Sequence, residues 1–529
     1  MIRHHESVIA ALQARVAEGQ MAGAYGEADL LAAFHMPSMA VARTAPEGPA
    51  EPAAPRLRPE VGYSSKPLVG PLITAAKRTA ERLLHHVVQD GFDQIAVRMA
   101  GQTEALQRAA TSSEIRDAEI IRAMRTLMAE EARRRRELEE RVASLSAPLG
   151  ADAPAPPPGR IQQVLAAAVP HDAVTDQALA LDELLTGWGH DSAIYAEHID
   201  PALEHRVGRI PMRPVDPDAV LLRYSIWSQA VADLLAFPPP RLGLIFHNVT
   251  PPQFFNGINT EVGALCAEGR SRVGELAGVA DVVVTDSAYD AEDLARAGFG
   301  EVTVIPMLLD LRLAPAREGT AVGPPTILSV GRLAPNKRIE VLIASFALYQ
   351  RLYAHDARLM LVGSPAGFEP YQEALERFVQ RIGVRNVHFL GRIDSAERDR
   401  LYRETTVYGC TSSHEGFCAP LAEAMAAGLP VVALDSAAVP ETLGGAGLVL
   451  PDADPRLIAE GLREVAESQE LREAIRDGAR ERLADFAPEA VGAALREAVT
   501  TLLGGSDPRG SVERGRQPEE REQARGVQE

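Results

Sequence analysis

Cysteine and basic charge are both scarce in this chain of 529 residues. It contains three cysteines, Cys266, Cys410 and Cys418, a number that provides no disulfide framework and favours a reducing compartment. Aspartate and glutamate outnumber lysine and arginine by 73 to 54, so the formal net charge is −19. Because nucleic-acid-binding proteins carry a basic surface, this balance argues against that class of partner.

Other signatures are missing as well. No apolar run reaches the length of about 18 residues that would predict a membrane span, and the N-terminus lacks a signal-peptide pattern. We therefore expect a cytoplasmic protein, with the inner face of the plasma membrane as an alternative location. The histidines are scattered and no cysteine pair has metal-ligand spacing, so we expect neither a metal ion nor a cofactor. A G-x-G-x-x-G motif after a strand is also missing, which argues against a dehydrogenase.

Proline-rich stretches divide the first part of the chain. We predict a partly disordered segment at 1–60, which includes the helical pattern SVIAALQARVAEG, a helical or coiled-coil region at 61–146 and a proline-rich linker at 147–159. Within 66–146, cations flank an apolar stripe. That pattern is compatible with peripheral membrane contact and with self-association through a helical seam, and the sequence leaves both open.

From residue 160 onward, short apolar runs alternate with helical patterns. This alternation predicts parallel sheets covered by helices, and a break near 308–325 divides it into two doubly wound, Rossmann-like domains, at 160–318 and 319–503. Ligands bind such sheets at the carboxyl ends of their strands, so two facing sheets would form a binding cleft. The charged stretch 504–529 is predicted to be a disordered tail.

The segment SVGRLAPNKR, Ser329–Arg338, places two cations just after a predicted strand. The strand ends at Val330, and Arg332 and Lys337 follow in the loop, where they could neutralise a diphosphate. Taken alone, a basic pair in a surface loop usually has no specific function.

The segment SSHEGFCAPLAEAMAAGLPVVA, Ser412–Ala433, combines a loop carboxylate with the start of a helix. The helix is predicted to begin near Pro420, and its first N–H groups form an anion site. Glu415 and Glu423 could accept hydrogen bonds from sugar or ribose hydroxyls. The alternative is that Glu423 is a solvated helix residue and Glu415 only complements the helix dipole.

The two segments together, in this order, resemble the donor-binding signature of glycosyltransferase family 4. That resemblance implies a GT-B fold and a retaining transfer from a nucleotide diphosphate sugar, without metal. It assigns Arg332 and Lys337 to the diphosphate, Glu415 to the transferred sugar and Glu423 to the ribose. The donor-binding residues that it implies are Gly331, Arg332, Lys337, Ile393, Glu415, Gly416, Phe417, Cys418 and Glu423.

The predicted first domain contributes IFHNVTPPQFF, in which His247 ends a strand. The resemblance implies that this histidine faces the donor sugar, and it completes the predicted catalytic set of Glu415, His247, Arg332 and Lys337. A purely structural role for His247 is equally compatible with the pattern. The loop 171–176 departs from the family, which often has glycines there, so this loop could contact the donor phosphate or only shape the acceptor pocket.

We therefore expect a hexosyltransferase that uses a saccharide or lipid-linked acceptor in cell-surface polysaccharide synthesis. Two alternatives remain at this point. One is a sugar-nucleotide epimerase, which can share the GT-B fold. The other is a scaffold protein of a polysaccharide assembly complex, whose helical N-terminal region would carry that function.

Overall fold

Two parallel sheets, each covered by helices, form the described part of the chain. The computed structural model describes residues 2–21, 24–25, 159–210, 217–311 and 323–504. The predicted helical or coiled-coil region at 61–146, nearly all of the linker and the tail after residue 504 lie outside these ranges. No helix among the described residues is long and apolar enough to cross a membrane.

The first sheet has seven parallel strands in the order β3-β2-β1-β4-β5-β6-β7. Its central strand β4 is buried at every position, as expected for a strand that is covered by helices on both faces. The strands are β1 (Arg160–Ala168), β2 (Asp191–Ile199), β3 (Val207–Arg209), β4 (Ala219–Tyr224), β5 (Leu242–Phe246), β6 (Val282–Thr285) and β7 (Thr303–Val304). The helices between them are α2 (Ala173–Gly187), α3 (Gln229–Ala236), α4 (Thr260–Arg272) and α5 (Ala288–Arg296).

The second sheet has six parallel strands in the order β10-β9-β8-β11-β12-β13. They are β8 (Thr326–Val330), β9 (Arg358–Val362), β10 (Val387–Gly391), β11 (Val407–Cys410), β12 (Val431–Leu434) and β13 (Leu448–Leu450). The helices of this part are α6 (Ile339–Leu352), α7 (Glu369–Ile382), α8 (Ser395–Glu404), α9 (Ala419–Ala426), α10 (Val439–Leu443), α11 (Pro455–Glu467) and α12 (Gln469–Leu483). The two predicted Rossmann-like domains are thus confirmed.

The order of the strands locates a binding crevice in each sheet. The chain reverses its direction of winding between β1 and β4 in the first sheet and between β8 and β11 in the second. Loops that follow two such strands diverge toward opposite faces of the sheet, and the crevice between them is where open α/β sheets bind ligands. In the second sheet these are the loops that contain Lys337 and Glu415.

The N-terminal helix α1 (Ile2–Met21) packs against the second domain. Leu12 is fully buried there, Arg15 forms an ion pair with Glu464, and the hydroxyl of Tyr25 donates a hydrogen bond of 3.0 Å to the buried Glu460. The helical pattern predicted near the N-terminus is therefore present, and it is bound to a surface that lies more than 400 positions away in the sequence.

The last helix, α13 (Pro488–Gly504), returns to the first domain. Its apolar residues Val491, Leu495, Val499 and Leu502 share one core with residues of the first sheet, including Ile161. The guanidinium of Arg241 donates a hydrogen bond of 2.7 Å to the carbonyl of Leu502. Although the sequence pattern assigned 319–503 to the second domain, the final helix packs on the first, because its apolar stripe covers the face of that sheet.

Candidate active site

A small pocket lies at the switch point of the second sheet, between the loop after β8 and the loop after β11. Its walls come from the ends of these two strands and from the two loops themselves. The lining residues are Ser329, Val330, Gly331, Leu333, Lys337, Ile339, Leu361, Tyr408, Cys410, Thr411, Ser412, Glu415 and Cys418. Of the predicted donor-binding residues, the pocket brings together Gly331, Lys337, Glu415 and Cys418.

An ion pair between Lys337 and Glu415 joins the two loops. The Nζ atom of Lys337 lies 2.5 Å from Oε1 of Glu415, and both side chains are largely removed from solvent. Burial lowers the pKa of Lys337, but the facing Glu415 carboxylate, together with Cys418 and Cys410, more than offsets that effect, so the pKa lies above its usual value. The ammonium therefore keeps its positive charge inside the pocket.

The loop after β8 depends on two glycines. Gly331 has a φ of +144°, and Gly363, in the loop after β9, has a φ of +150°. A Cβ atom on Gly363 would lie 1.9 Å from the carbonyl oxygen of Gly331, so any side chain there would push the two loops apart. This close approach fixes the path of the chain that leads from Gly331 to Lys337.

Asn336 connects the same loop to the loop after β11. Its side-chain amide donates to the carbonyl of His414 at 3.1 Å, and its own carbonyl accepts from the N–H of Ser413 at 2.9 Å. The two bonds hold the backbone of Ser413 and His414, which directly precede Glu415. They therefore help to fix the position of the Glu415 carboxylate in the pocket.

Helix α9 begins at the wall of this pocket. Cys418 is its N-cap residue, has a φ of +69° and forms no side-chain cap hydrogen bond. A non-glycine residue in this left-handed region is uncommon and costs free energy. The first N–H groups of a helix and its dipole attract anions, so the positive end of α9 adds to the charge of Lys337.

Glu423 lies outside the pocket lining, one turn into α9. It accepts a hydrogen bond of 2.7 Å from the hydroxyl of Tyr402 and lies 3.5 Å from Nη1 of Arg398. Burial raises its pKa, while Arg398 and Tyr402 act in the opposite direction. Its carboxylate is thus held in a fixed orientation, and the interpretation of Glu423 as a solvated helix residue is wrong.

Arg332 is placed differently from Lys337. It is exposed, and its guanidinium lies 5.5 Å from the ring centroid of Phe368. It does not line the pocket. Both cations follow the same strand, but only Lys337 lines the pocket, whereas Arg332 packs on Phe368.

His247 directly follows the last residue of β5, one position beyond the predicted strand end, and its ring is engaged within the first domain. Nδ1 lies 2.7 Å from the carboxylate of Asp286, and Nε2 lies 3.2 Å from Nη1 of Arg223. Since an arginine can only donate, Nε2 accepts and Nδ1 donates to Asp286. The side chain is 2% exposed, and His247 is not among the residues that line the pocket; its contact with a donor sugar stays a prediction.

Arg223 behind His247 is buried completely. Its guanidinium donates to the side-chain oxygens of Gln163 at 2.9 Å and Gln177 at 2.5 Å. Burial lowers its pKa to about 9, although Asp286 partly offsets the effect. This cation could not be predicted from the sequence, because an arginine within an apolar strand pattern belongs to no motif.

The two domains meet beside Glu415. His414 Nε2 donates to the side-chain oxygen of Asn248 at 2.8 Å, and the amide of Asn248 in turn bonds Asp290. A Cβ atom on Gly416 would lie 2.8 Å from both Asn248 and Asp290, so only glycine permits this approach. Burial lowers the pKa of His414 to about 4 and raises that of Asp290 to about 9.

The loop after β1 also faces the second domain. His171 has a φ of 62°, and its pKa is lowered by burial and then by Arg398 and Arg392. Burial raises the pKa of Asp176 to about 6, with a further contribution from Asp172. This loop therefore lies on the side of Arg398 and the predicted ribose residue. Whether it contacts a donor stays open.

Two further predicted residues point away from the pocket. The ring of Phe417 packs edge-on against Phe486 at 5.3 Å between centroids, so this side chain is part of the core. Ile393 packs against the same apolar cluster. Conversely, Tyr408, Cys410, Thr411 and Ser412 line the pocket, and the sequence reasoning did not select them.

A family model matches the part of the chain that contains this site. Residues 313–482 match the family model "Glycosyl transferases group 1". The match covers both loops of the pocket. Among curated proteins, the chain is similar to D-inositol 3-phosphate glycosyltransferase of Corynebacterium efficiens, with 28% identity over 257 residues, which cover 44% of this chain and 61% of that protein. The matched part thus spans about three fifths of that relative.

Solved structures show a similar fold. Sucrose-phosphate synthase from Thermosynechococcus elongatus is 20% identical, with a TM-score of 0.55 over 66% of this chain and all of that one. The Anabaena protein HepE, solved in complex with UDP-glucose, is 17% identical, with a TM-score of 0.53 over 65% of this chain and all of that one. The predicted GT-B fold is confirmed. The family model and the curated relative are named as glycosyl transferases, and they do not favour the epimerase alternative.

Proposed function

We propose that this protein is a retaining glycosyltransferase that moves a hexosyl group from a nucleotide diphosphate sugar to a saccharide or lipid-linked acceptor. The observation that carries the proposal is the Lys337–Glu415 pair at 2.5 Å, located at the switch point of a sheet whose sequence matches the group 1 glycosyl transferases. A cation and a carboxylate side by side suit the two ends of such a donor, the diphosphate and the sugar hydroxyls.

Lys337 is the residue that would neutralise the leaving group. As the bond between the anomeric carbon and the diphosphate oxygen breaks, negative charge grows on that oxygen. A buried ammonium and the positive end of α9 are oriented before the reaction, so they stabilise this charge without reorganisation. This arrangement requires neither a metal ion nor a cofactor for charge neutralisation.

The acceptor hydroxyl would attack from the face that the diphosphate leaves. Its oxygen forms the new bond to the anomeric carbon, and its proton passes to the departing phosphate oxygen. No protein nucleophile is required. Glu415, released from Lys337 by the incoming diphosphate, would accept hydrogen bonds from hydroxyls of the transferred sugar.

Glu423 would hold the ribose. Tyr402 and Arg398 already orient its carboxylate, and a carboxylate has about four lone-pair positions, so it can still accept from two ribose hydroxyls. Arg332 is exposed and could swing from Phe368 toward the diphosphate. His247 would act on the donor only if its ring left Arg223 and Asp286, so we assign it the smaller role of fixing the adjoining interdomain contact.

The acceptor is proposed to bind on the side of the first domain. A phosphorylated polyol is one candidate, because a relative is named as a D-inositol 3-phosphate glycosyltransferase. We also propose a role in cell-surface polysaccharide synthesis. Peripheral membrane contact or self-association would involve 66–146, which lies outside the described ranges.

A panel of nucleotide sugars tests the function. Purified protein is mixed with UDP-, GDP- and ADP-linked hexoses, with and without D-inositol 3-phosphate, and release of the nucleotide diphosphate is measured beside thermal shift. We expect one donor to stabilise the protein and to be turned over faster than in the Lys337→Ala variant. Stabilisation by none of these donors, together with no release above that of the variant, would contradict the proposal.

A further inference from the structure

Two thiols face each other in the wall of the pocket. Cys410 is the last residue of β11 and Cys418 caps α9, and the loop 411–417 brings them together. Both line the pocket, both are buried, and each thiol shifts the pKa of the other through a direct side-chain interaction. Their sulfur atoms are therefore adjacent within the small space that also holds Lys337 and Glu415.

The surroundings make the two thiols unequal. The hydrogen bond from the Cys418 thiol lowers the pKa of Cys410, against the effect of burial, whereas the same bond and burial raise the pKa of Cys418. Because the thiolate is the reactive form of cysteine, this difference favours Cys410 as the first of the two thiols to react.

The third cysteine has a different environment. Cys266 lies in α4 of the first domain, and burial raises its pKa to about 11. It lines no part of the pocket. Burial and the raised pKa disfavour the thiolate of Cys266, so this residue offers a matched control within the same chain.

The geometry points to Cys410 and Cys418 as a redox modification site, and we propose that hydrogen peroxide converts them to a reversible disulfide that closes the pocket. The Cys410 thiolate attacks the peroxide oxygen, which gives a sulfenic acid and, after protonation, one molecule of water. The Cys418 sulfur then attacks the Cys410 sulfur, and a second water leaves. Two S–H bonds are lost, one S–S bond forms, and the peroxide is reduced to two waters. Hydrogen peroxide is small enough to enter so narrow a pocket.

The effect on ligand binding follows from the position of Cys418. This residue carries the first turn of α9, and its backbone is already held in the left-handed region. A bond to Cys410 would draw this turn toward β11 and fix the loop that carries Glu415. The consequence for donor binding rests on the proposed function, but formation of the disulfide does not.

Mass spectrometry and calorimetry test the two parts separately. The reduced full-length protein is treated with hydrogen peroxide, unfolded, alkylated with N-ethylmaleimide and digested with trypsin. One peptide, residues 404–456, contains both cysteines. In parallel, titration calorimetry measures binding of UDP, with GDP and ADP as further probes, before and after oxidation and again after dithiothreitol.

We expect the oxidised peptide to lack two hydrogen atoms and to carry no alkyl group, and affinity for the bound nucleotide to fall at least tenfold and return with the reductant. Cys266→Ser should respond as the wild type does. Cys410→Ser, and Cys418→Gly as a second variant suited to the left-handed backbone, should show no peroxide effect relative to their own reduced forms.

Two results would overturn the inference. One is a peptide that is alkylated at both cysteines, or over-oxidised without a disulfide, at peroxide levels that oxidise a free dithiol. The other is a disulfide that forms without changing nucleotide affinity. If the reduced protein binds none of the three nucleotides, the proposed function fails, while the peptide mass still decides whether the thiol pair reacts.

Discussion

The ring of His414 donates a hydrogen bond to the side-chain oxygen of Asn248 at 2.8 Å across the two domains. This contact lies close to Gly416, where a side chain would collide with Asn248 and Asp290 of the first domain. The missing side chain therefore allows the two domains to approach closely. Burial disfavours the charged form of the His414 ring, so protonation of His414 would cost free energy even though Nε2 would still donate to Asn248.

Acid should weaken the fold through His414. Its pKa falls from 6.5 to about 4 on folding, so between these values the unfolded chain binds the proton and the native state does not. Stability is therefore lost as the pH falls from about 6.5 to about 4, by up to about 1.4 kcal/mol per pH unit. Urea unfolding across this range should show a smaller slope for His414→Gln. The exposed His388→Gln is the control, and equal slopes in both variants would contradict the assignment.

Asp290 should act in the opposite pH direction. Its pKa is raised from 3.8 to about 9 by burial and by Asp286, so the native state keeps a proton that the unfolded state releases. This contribution is present below about pH 4 and is lost as the pH rises toward 9. The stability of Asp290→Asn relative to the wild type should therefore increase as the pH is raised. The exposed Asp233→Asn should show no such trend, and a pH-independent difference for Asp290→Asn would exclude the raised pKa.

Glu441 should stabilise the contact between the domains. Its two carboxylate oxygens accept from the N–H groups of Ala288 at 2.6 Å and Tyr289 at 3.1 Å, at the start of α5. Loss of a helix cap costs about 0.5–2 kcal/mol, so Glu441→Ala should lower the free energy of unfolding by that amount. Glu441→Gln keeps one acceptor and should lose less. Urea unfolding measures both, and an Ala variant as stable as the wild type would refute the capping role.

Turnover should survive removal of divalent metals. The proposed charge neutralisation uses Lys337 and the positive end of α9, so the rate in excess EDTA should equal the untreated rate. Nucleotide release by the identified donor pair measures this directly. Loss of the rate in EDTA, followed by recovery with Mg²⁺ or Mn²⁺, would show that a metal carries the charge instead.

The fold and the central pair could be predicted from sequence because both rest on periodicity and on strand ends. The alternation of strands and helices predicted two doubly wound domains, and the strand-end rule placed Lys337 and Glu415 at one edge of one sheet. Their spacing in the sequence is 78 positions, yet adjacent parallel strands bring them within hydrogen-bond distance.

Other features depend on tertiary contacts that the pattern does not contain. The ring of His247 is drawn inward by Asp286 and by the buried Arg223, and Arg332 stacks on Phe368. None of these three partners, Asp286, Arg223 and Phe368, is close in sequence to the residue that it contacts. Likewise, α13 packs on the first domain because its apolar residues share a core with the first sheet. The sequence pattern does not show which of the two sheets this helix covers.

Calorimetry with the nucleotide diphosphate alone tests the central claim most directly, because this ligand has a diphosphate and a ribose but no sugar for Glu415. Charge-assisted hydrogen bonds contribute about 1.5–3 kcal/mol. Lys337→Ala and Glu423→Ala should therefore each weaken binding of the nucleotide by about tenfold or more, whereas Glu415→Ala should change it far less while lowering turnover of the donor. If Glu415→Ala abolishes nucleotide binding and Lys337→Ala and Glu423→Ala leave it intact, the assignment of diphosphate, sugar and ribose to these residues is wrong.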